Sequence, residues 1–287
     1  MPSPWSIAMP ELPEVERGRR IAERATAGRT IRRVKCAEDR IVYDGVAPST
    51  VQRKLKGRRV EAVHRRGKQL WFELDVGPHP LFHFGMTGAF RVPHEQDMQL
   101  VSGPKVNPKE SWPPRFTKIH LWMDDGSELA MTNARRLGRI KLRRDPLAET
   151  PIVSLGFDPL LEMPGPKAFA RLLGRRSGSM KGILMDQSFA AGVGNWIADE
   201  VLYQAEIDPR RRANTLGDRE VEAVRRALRT VVKKAVAVDA VKARFPRAWL
   251  FHDRWGKKAE ARTRAGERIE FLTVGGRTTA WVPERQR

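Results

Sequence analysis

The spacing of hydrophobic residues predicts one helix followed by strands in the first half of the chain. Apolar residues recur at helical spacing among charged ones over residues 13–26, which predicts a helix there. Residues 70–74 alternate between two faces, which is the period of a strand. Two more apolar runs, 119–123 and 128–131, flank an Asp-Asp-Gly-Ser segment and predict a hairpin. The Pro-rich polar stretch between residues 93 and 115 predicts a long surface loop.

The pattern becomes helical after residue 146. Four helices are predicted, over residues 167–173, 180–187, 196–205 and 218–238. The last helix has basic residues around an apolar face that is formed by Val221, Val224, Leu228, Val231 and Ala235. Strand-like runs at 268–273 and 277–282 flank Gly275-Gly276 and predict a terminal hairpin. The pattern therefore predicts an α+β protein with a β-rich first domain and a helical second domain.

The chain carries a large excess of positive charge. Its 287 residues include 54 Lys and Arg against 34 Asp and Glu, a formal net charge of +20, and the sequence pI is near 10.9. This balance favours a polyanion as partner, although a basic protein kept soluble by its charge would have the same composition. No apolar run reaches the roughly 20 residues of a membrane span, and residues 1–8 lack the pattern of a signal peptide. We therefore expect an intracellular protein with no membrane partner.

The segment MPELPEVE at residues 9–16 has two interpretations. In the first it is only a helix start, because Pro13 and the acidic residues suit a first helical turn. In the second, translation starts at Met9, that Met is removed, and Pro10 carries a free secondary amine. An α-amino group has a pKa of about 7.7–8.0, so much of it is uncharged near neutral pH and can attack C1′ of a sugar to form a cationic iminium. Glu11 would then transfer protons beside it.

This segment resembles the start of the formamidopyrimidine-DNA glycosylase (Fpg/Nei) family, which are bifunctional enzymes of base-excision repair. Five further segments resemble that family in the same order along the chain. They are RRGKQL at 65–70, HFGMTG at 83–88, NARRLG at 133–138, LGFDPL at 155–160 and DQSFAAGVGN at 186–195. Each resemblance alone is weak, but six in one order are highly specific.

The resemblance implies an α+β fold of two domains. These are an N-terminal β-sandwich with a leading helix and a C-terminal helix–two-turn–helix domain that ends in a β-hairpin finger. We place an N-terminal extension at residues 1–8, the catalytic domain at 9–145, the helix–two-turn–helix domain at 146–240 and the finger at 241–287.

The C-terminal finger is predicted to stand without metal. Many family members bind zinc there through four cysteines, whereas the one cysteine of this chain, Cys36, lies far from the C-terminus. The chain therefore resembles the zincless-finger branch of plant and fungal members. Trp249, Phe251 and Trp255 are predicted to supply the packing that a metal would otherwise provide. We expect no metal and no cofactor.

The resemblance also implies the reaction and the residues that carry it. The protein would excise formamidopyrimidine and 8-oxoguanine, which are ring-opened and oxidised purines, from duplex DNA and cleave the abasic site by β,δ-elimination through a Schiff base. The catalytic residues implied are Pro10, Glu11, Lys68 and Arg277. The residues implied in DNA binding are Met86, Arg135, Leu137, Asn195, His83 and Glu14.

The DNA-binding residues have separate implied roles, because a glycosylase must flip the damaged nucleotide out of the stack and fill the gap. Met86 would enter the duplex and Arg135 would bond the orphaned base. Leu137 would press into the stack where the family usually has an aromatic side chain, and this difference leaves the strength of the wedge open. Lys68, predicted on a strand, and His83 would contact phosphate. Asn195 would do so together with backbone N–H groups at the start of a helix.

The N-terminal extension leaves a second hypothesis open. If residues 1–8 are retained, Pro10 has no free amine, and the protein would be a non-catalytic binder of damaged DNA or other nucleic acid. Helix–two-turn–helix domains of that kind occur in ribosomal proteins and in a topoisomerase subunit. In either case we expect a monomer bound to damaged double-stranded DNA. It would be found with the chromosome, in the cytoplasm of a bacterium or the nucleus of a eukaryote.

Overall fold

The computed structural model describes residues 9–93, 111–256 and 260–287. These residues form two compact units. We call residues 9–10 and 14–154 the sheet unit, and residues 11–13 and 155–287 the helical unit. The extension at residues 1–8 and most of the predicted loop at 93–115 lie outside the described residues.

The sheet unit contains two four-stranded antiparallel sheets. Its elements are α1 (Leu12–Thr26, from Glu14 onward), β1 (Ile31–Cys36), α2 (Pro48–Leu55), β2 (Val60–Arg66), β3 (Gln69–Leu74), β4 (His79–His83), β5 (Ala89–Arg91), β6 (Thr117–Met123), β7 (Glu128–Thr132) and β8 (Arg139–Arg143). One sheet has the order β1-β6-β7-β5 and the other the order β2-β3-β4-β8. Side chains of both sheets share one hydrophobic core, which confirms the predicted β-sandwich with a leading helix.

The alternation of side chains in β3 follows from burial on two sides. Leu70, Phe72 and Leu74 face the shared core. Trp71 faces the opposite side, where it packs against Leu81 and Ile152. The predicted helix at 13–26, the strand at 70–74 and the hairpin of β6 and β7 are therefore confirmed.

The predicted position of Lys68 on a strand is wrong. β2 ends at Arg66, which pairs with Gln69 at the start of β3, so Gly67 and Lys68 form a two-residue turn. Gly67 has a φ of 56°, which a two-residue hairpin turn requires and glycine adopts easily. Lys68 is thus at the tip of a hairpin, at one end of the sheet.

The helical unit contains four α-helices and a hairpin among its described residues. They are α3 (Pro166–Gly174), α4 (Met180–Met185), α5 (Asn195–Ala205), α6 (Asp218–Ala237), β9 (Glu270–Val274) and β10 (Arg277–Trp281). All were predicted, although α4 ends two residues early because Asp186 has extended backbone and its carboxylate accepts the N–H of Ser188. Short 3-10 turns lie at 213–215, 242–244 and 250–252. None of the helices in the described part of the chain is long and apolar enough to span a bilayer.

Two cores hold the helical unit together. The apolar face of α6 packs with α3, α4 and α5 in the larger core, where Val224, Leu228, Val231 and Ala235 are buried. The hairpin has a small core of its own, made of Tyr203, Leu250, Ala261, Ile269, Ala280 and Val282.

The predicted packing role of three aromatic residues is corrected by these cores. Trp249 and Phe251 belong to the larger core, around Trp196 of α5, and Trp255 packs against it. They therefore stabilise the helices, and Leu250 is the residue of that segment that packs in the hairpin core.

Candidate active site and nucleic-acid interface

Glu11 caps the start of α5 within the helical unit. Its carboxylate accepts hydrogen bonds from the backbone N–H groups of Gly194 (2.9 Å), Trp196 (2.8 Å) and Ile197 (3.1 Å). These N–H groups have no partner inside the helix, and the positive end of the helix dipole favours a carboxylate there. The N–H of Leu12 also donates to the carbonyl of Gly192 (3.0 Å). The segment next to Pro10 is therefore held at two consecutive residues.

The cap corrects one prediction about the helix start. We expected backbone N–H groups of this turn to meet a DNA phosphate, but those of Gly194, Trp196 and Ile197 bond Glu11 instead. Position 194 must also be glycine, because a Cβ there would lie 2.6 Å from Oε1 of Glu11. The Gly-Val-Gly-Asn turn is thus shaped to receive this carboxylate.

Asn195 bonds the hairpin at the residue after Arg277. The side-chain amide of Asn195 donates to the carbonyl of Thr278 (3.0 Å), the residue after Arg277. The turn residues Gly275 and Gly276 both have positive φ, which allows the tight turn that begins β10 at Arg277. Arg277 is exposed.

A buried group of charges fixes the same hairpin. The carboxylate of Asp199 on α5 bonds the ammonium of Lys181 and the guanidinium of Arg254, all three being buried. It also accepts the backbone N–H of Ala280 on β10 (3.2 Å). Lys181 in turn donates to the carbonyl of Asn195 (3.1 Å). One carboxylate therefore joins α4, α5, residue 254 and the hairpin.

Two loops of the sheet unit are held together by Asn133, which is buried. We call residues 84–88 the methionine loop and residues 133–138 the arginine loop. The Asn133 amide donates to the carbonyl of Phe84 (2.8 Å), and its oxygen accepts the N–H of Gly138 (3.2 Å). The N–H of Arg135 donates to the hydroxyl of Thr87 (3.3 Å). Hydrogen bonds therefore join the two loops into one edge.

Glycines permit this close contact between the loops. A Cβ on Gly88 would lie 2.7 Å from the Asn133 amide nitrogen, and one on Gly138 would lie 2.8 Å from the carbonyl of His83. At this edge Met86 is half-buried in its turn, and Arg135 is exposed. Leu137 is 42% exposed, which is uncommon for a large apolar side chain. The residues predicted to enter the DNA gap thus lie side by side.

Lys68 and His83 lie at the same end of this sheet. His83 pairs with Gln69, the residue after Lys68, and on its other side with Arg139. Burial, and the charges of Lys68, Arg139 and Lys141, lower the pKa of His83 to about 4. Because its Nδ1 accepts the N–H of Gly85 (3.2 Å), the ring proton is on Nε2. His83 is therefore a neutral donor near neutral pH.

The depressed pKa of His83 predicts a loss of stability in acid. Unfolded His83 takes up a proton below about pH 6.5, but folded His83 does so only near its pKa of about 4. The unfolded state thus binds more protons than the folded state in this window. The free energy of unfolding therefore decreases as the pH is lowered, by on the order of 2 kcal/mol between pH 7 and 4.5. We expect His83→Gln to lose less stability than wild type over that interval in urea unfolding. Equal losses in the two proteins would contradict the prediction.

Pro10 and Glu14 belong to the sheet unit, and both are buried. Glu14 lies in the first turn of α1. The nitrogen of Pro10 is part of a peptide bond with Met9 in this chain. The structure thus groups Lys68, His83, Met86, Arg135 and Leu137 at one end of the sheet unit, and Glu11, Asn195 and Arg277 in the helical unit.

Sequence reasoning missed several polar residues that organise these groups. Asn133 and Arg136 belong to a segment that was singled out, but only Arg135 and Leu137 were given roles. Asp39, Asp199 and Arg254 carry no motif, and their contacts join residues far apart in the chain. In the described ranges, no group of three or more His, Cys, Asp or Glu side chains could hold a metal ion.

Three family models match the chain in order. The N-terminal domain of formamidopyrimidine-DNA glycosylase matches residues 9–140, and its H2TH domain, the helix–two-turn–helix domain, matches residues 155–246. A formamidopyrimidine-DNA glycosylase-like C-terminal domain matches residues 249–283. Together these models span both units of the fold.

Whole-chain comparisons agree with these matches. The formamidopyrimidine-DNA glycosylase of Arabidopsis thaliana is 42% identical over 279 residues, which is 97% of this chain and 71% of that protein. That of Thermus thermophilus is 33% identical over 293 residues, 97% of this chain and 98% of that protein. The crystal structure of MutM (Fpg) from Thermus thermophilus matches with a TM-score of 0.75 and 32% identity, over 96% of this chain and 98% of that one.

Lactococcus lactis Fpg, non-covalently bound to DNA containing an AP site, has the same fold with a TM-score of 0.77, at 24% identity and over 96% of this chain and 99% of that one. The sandwich, the H2TH domain and the hairpin define the class of DNA glycosylases to which these proteins belong. The chain belongs to the formamidopyrimidine-DNA glycosylase family, which confirms the resemblance seen in the six sequence segments.

Proposed function

We propose that this protein is a bifunctional DNA glycosylase and abasic-site lyase that removes ring-opened and oxidised purines from duplex DNA. The observation that carries the proposal is the edge formed by the methionine and arginine loops. It presents Met86, Arg135 and an exposed Leu137 together, beside Lys68 and His83. An apolar side chain, a base-bonding arginine and phosphate-binding donors are what an enzyme needs to extrude a base and fill the gap.

The chemistry follows from an amine at Pro10. Its nitrogen attacks C1′ of the damaged nucleotide, the bond from C1′ to the base breaks, and the base leaves with the amine's proton. The C1′–O4′ bond then breaks as O4′ takes up a proton, which opens the sugar ring and gives a C1′=N iminium. The resulting iminium withdraws electrons, so a proton is lost from C2′ and the 3′ phosphate departs. A second elimination releases the 5′ phosphate, and water then hydrolyses the iminium. Glu11, fixed by its three backbone donors, is proposed to transfer protons beside this nitrogen.

The other predicted residues are assigned to DNA. Neutral His83 is proposed to donate from Nε2 to a phosphate, next to the ammonium of Lys68. Asn195 and Arg277 are proposed to grip the lesion phosphate, and Glu14 to line the pocket for the damaged base. The leucine at 137 is shorter and not aromatic, so stacking on the neighbouring base pair should be weaker than with an aromatic wedge.

The free amine requires a chain that begins at Pro10. The family model of the N-terminal domain matches from residue 9, which supports translation from Met9 followed by removal of that Met. We also propose domain limits at 9–145, 146–240 and 241–287, and a monomer as the form that binds damaged duplex DNA. If residues 1–8 are retained in the cellular protein, the second hypothesis of a non-catalytic DNA binder applies. The N-terminal mass of protein from the native locus distinguishes the two.

Lesion profiling tests the proposed function. Protein whose mass confirms a Pro10 terminus is incubated with duplexes that contain formamidopyrimidine, 8-oxoguanine or no damage. We expect excision of at least the ring-opened lesion followed by strand cleavage, and no cleavage of the undamaged duplex. Cleavage of 8-oxoguanine in the same panel tests the wider substrate class. If no lesion is excised but all duplexes are bound, the binding hypothesis replaces the enzymatic one.

A further inference from the structure

A buried carboxylate outside the described motifs holds the centre of the arginine loop. Asp39 is 4% exposed and follows β1 by three residues. Its oxygens accept hydrogen bonds from Nε and Nη2 of Arg136, each at 3.0 Å, and from the ammonium of Lys118 at 2.8 Å. The backbone N–H groups of Ile41 (3.2 Å) and Val42 (3.3 Å) also point at it. The paired bonds to one guanidinium fix its direction as well as its distance.

The charge of this carboxylate is stable. Burial alone would raise the pKa of Asp39, but the hydrogen bonds from Arg136 and Lys118 outweigh it and hold the pKa well below its usual range. Asp39 therefore remains ionised at any pH at which the protein would bind DNA.

The backbone of Arg136 shows why this contact matters. Its φ is +55°, in the left-handed region of backbone conformation that residues other than glycine rarely adopt. Such a conformation persists when surrounding contacts enforce it. Arg136 lies between Arg135 and Leu137, and all three residues are exposed, but only the Arg136 guanidinium is held by Asp39. The middle residue is anchored and its two neighbours are presented.

We propose that Asp39 is a positioning residue for DNA insertion, which holds Arg136 so that Arg135 and Leu137 enter the gap left by the extruded nucleotide. The proposal rests on the proposed function, because it assigns the arginine loop to the gap. The alternative is that Arg136 itself contacts DNA, so that its half-exposed guanidinium leaves Asp39 and binds a phosphate. In that case Asp39 would compete with DNA, and its removal would tighten binding.

The test compares a variant that removes the charge of this carboxylate, and with it both ion pairs, with a variant that removes only the Lys118 pair. Asp39→Asn keeps the size of the side chain but loses the charge that orients Arg136. Lys118→Met removes the other partner of Asp39 and leaves the Arg136 contact in place, so it is the matched control. Both are compared with wild type, all starting at Pro10, well below their unfolding temperatures as measured by circular dichroism.

Insertion is measured without chemistry on a duplex that carries tetrahydrofuran as a stable abasic analogue, with 2-aminopurine as a fluorescent neighbour. Wild type and Lys118→Met should unstack the reporter equally. With Asp39→Asn we expect a smaller fluorescence rise at saturating protein, and excision of formamidopyrimidine slower by about tenfold or more in single turnover. Borohydride trapping on single-stranded abasic DNA, where no gap is filled, should be unchanged.

A double variant provides a second test, because it shows whether the effects of two substitutions add. If Asp39 acts through Arg136, the double variant Asp39→Asn/Arg136→Gln should excise no more slowly than Arg136→Gln alone. The proposal would be overturned if Asp39→Asn and Lys118→Met had equal defects, or if the defects of Asp39→Asn and Arg136→Gln were additive in the double variant. Loss of trapping on single-stranded abasic DNA by Asp39→Asn, or tighter binding of duplex DNA by this variant, would also overturn it. If wild type unstacks the reporter but traps no abasic DNA, the lyase function fails while the positioning role is still decided by the fluorescence.

Discussion

Protein that begins at Pro10 is expected to form a borohydride-trapped complex with abasic DNA, and protein that retains residues 1–8 is expected to form on the order of a thousandfold less. The difference arises because the amide nitrogen of an internal proline has no available lone pair and cannot attack C1′. Trapping is measured as the covalent complex on a denaturing gel, with both proteins verified by mass.

Two substitutions in the Pro10-start protein define the mechanism further. Pro10→Gly leaves a primary amine, whose imine is cationic only when protonated, so we expect trapping to fall by about a hundredfold or more. Glu11→Gln removes the proposed proton carrier, although its amide oxygen can still accept N–H bonds from α5. It should lose excision and trapping as well. If Pro10→Gly traps as efficiently as the unmodified protein, the secondary amine of proline is not required for the covalent step.

The control for this prediction is DNA binding itself. The basic side chains that neutralise phosphates are separate from Pro10, so the affinity of Pro10→Gly for duplex DNA should fall with salt as steeply as that of the unmodified protein. A changed salt dependence would show that the substitution alters the DNA-binding surface and not only the chemistry.

Asp199→Asn is expected to destabilise the helical unit by about 3–5 kcal/mol, because it leaves two buried cations without their carboxylate. Lys181 and Arg254 both bond Asp199, and their side chains are 0% and 5% exposed. The loss is measured by urea unfolding monitored through tryptophan fluorescence. Trp196 and Trp249 both lie in the larger core of this unit.

An exposed ion pair is the matched control for Asp199. Arg226 pairs with Glu222 on the surface of α6, and its side chain is 73% exposed. Arg226→Gln should therefore change the free energy of unfolding by only about 0–1 kcal/mol. If Asp199→Asn lowers the free energy of unfolding by less than about 1 kcal/mol, Asp199 stabilises the helical unit far less than expected for the partner of two buried cations.

Periodicity predicted many elements of the fold, because each depends on residues close together in the chain, but it missed the second helix of the first half, α2. The helix at Leu12–Thr26 and the hairpin of β6 and β7 followed from local pattern alone. Lys68 was misplaced because the pairing of Arg66 with Gln69 becomes visible only when β2 and β3 lie side by side. Turn position was thus the weaker part of the prediction.

The contacts that fix the candidate site could not be predicted in the same way. Arg136 and Asp39 are 97 residues apart, and Arg254 and Asp199 are 55 apart. Glu11 was predicted to carry protons, but its bonds to α5 span more than 180 residues. Such partners are chosen by the fold, and a buried Asp has no sequence signal that distinguishes it from an exposed one. Family resemblance identified the segments but not what holds them.

The Glu11 cap has a consequence for the entropy of the reaction. The first residues of a chain usually fray, and a terminal amine that samples many positions must lose that freedom before it can react. In a chain that begins at Pro10, the next residue is clamped by three hydrogen bonds and the one after it by a fourth. The proline ring also fixes its own backbone torsion. The amine would thus meet the sugar already ordered, and the cost of restricting a loose terminus is met when the protein folds.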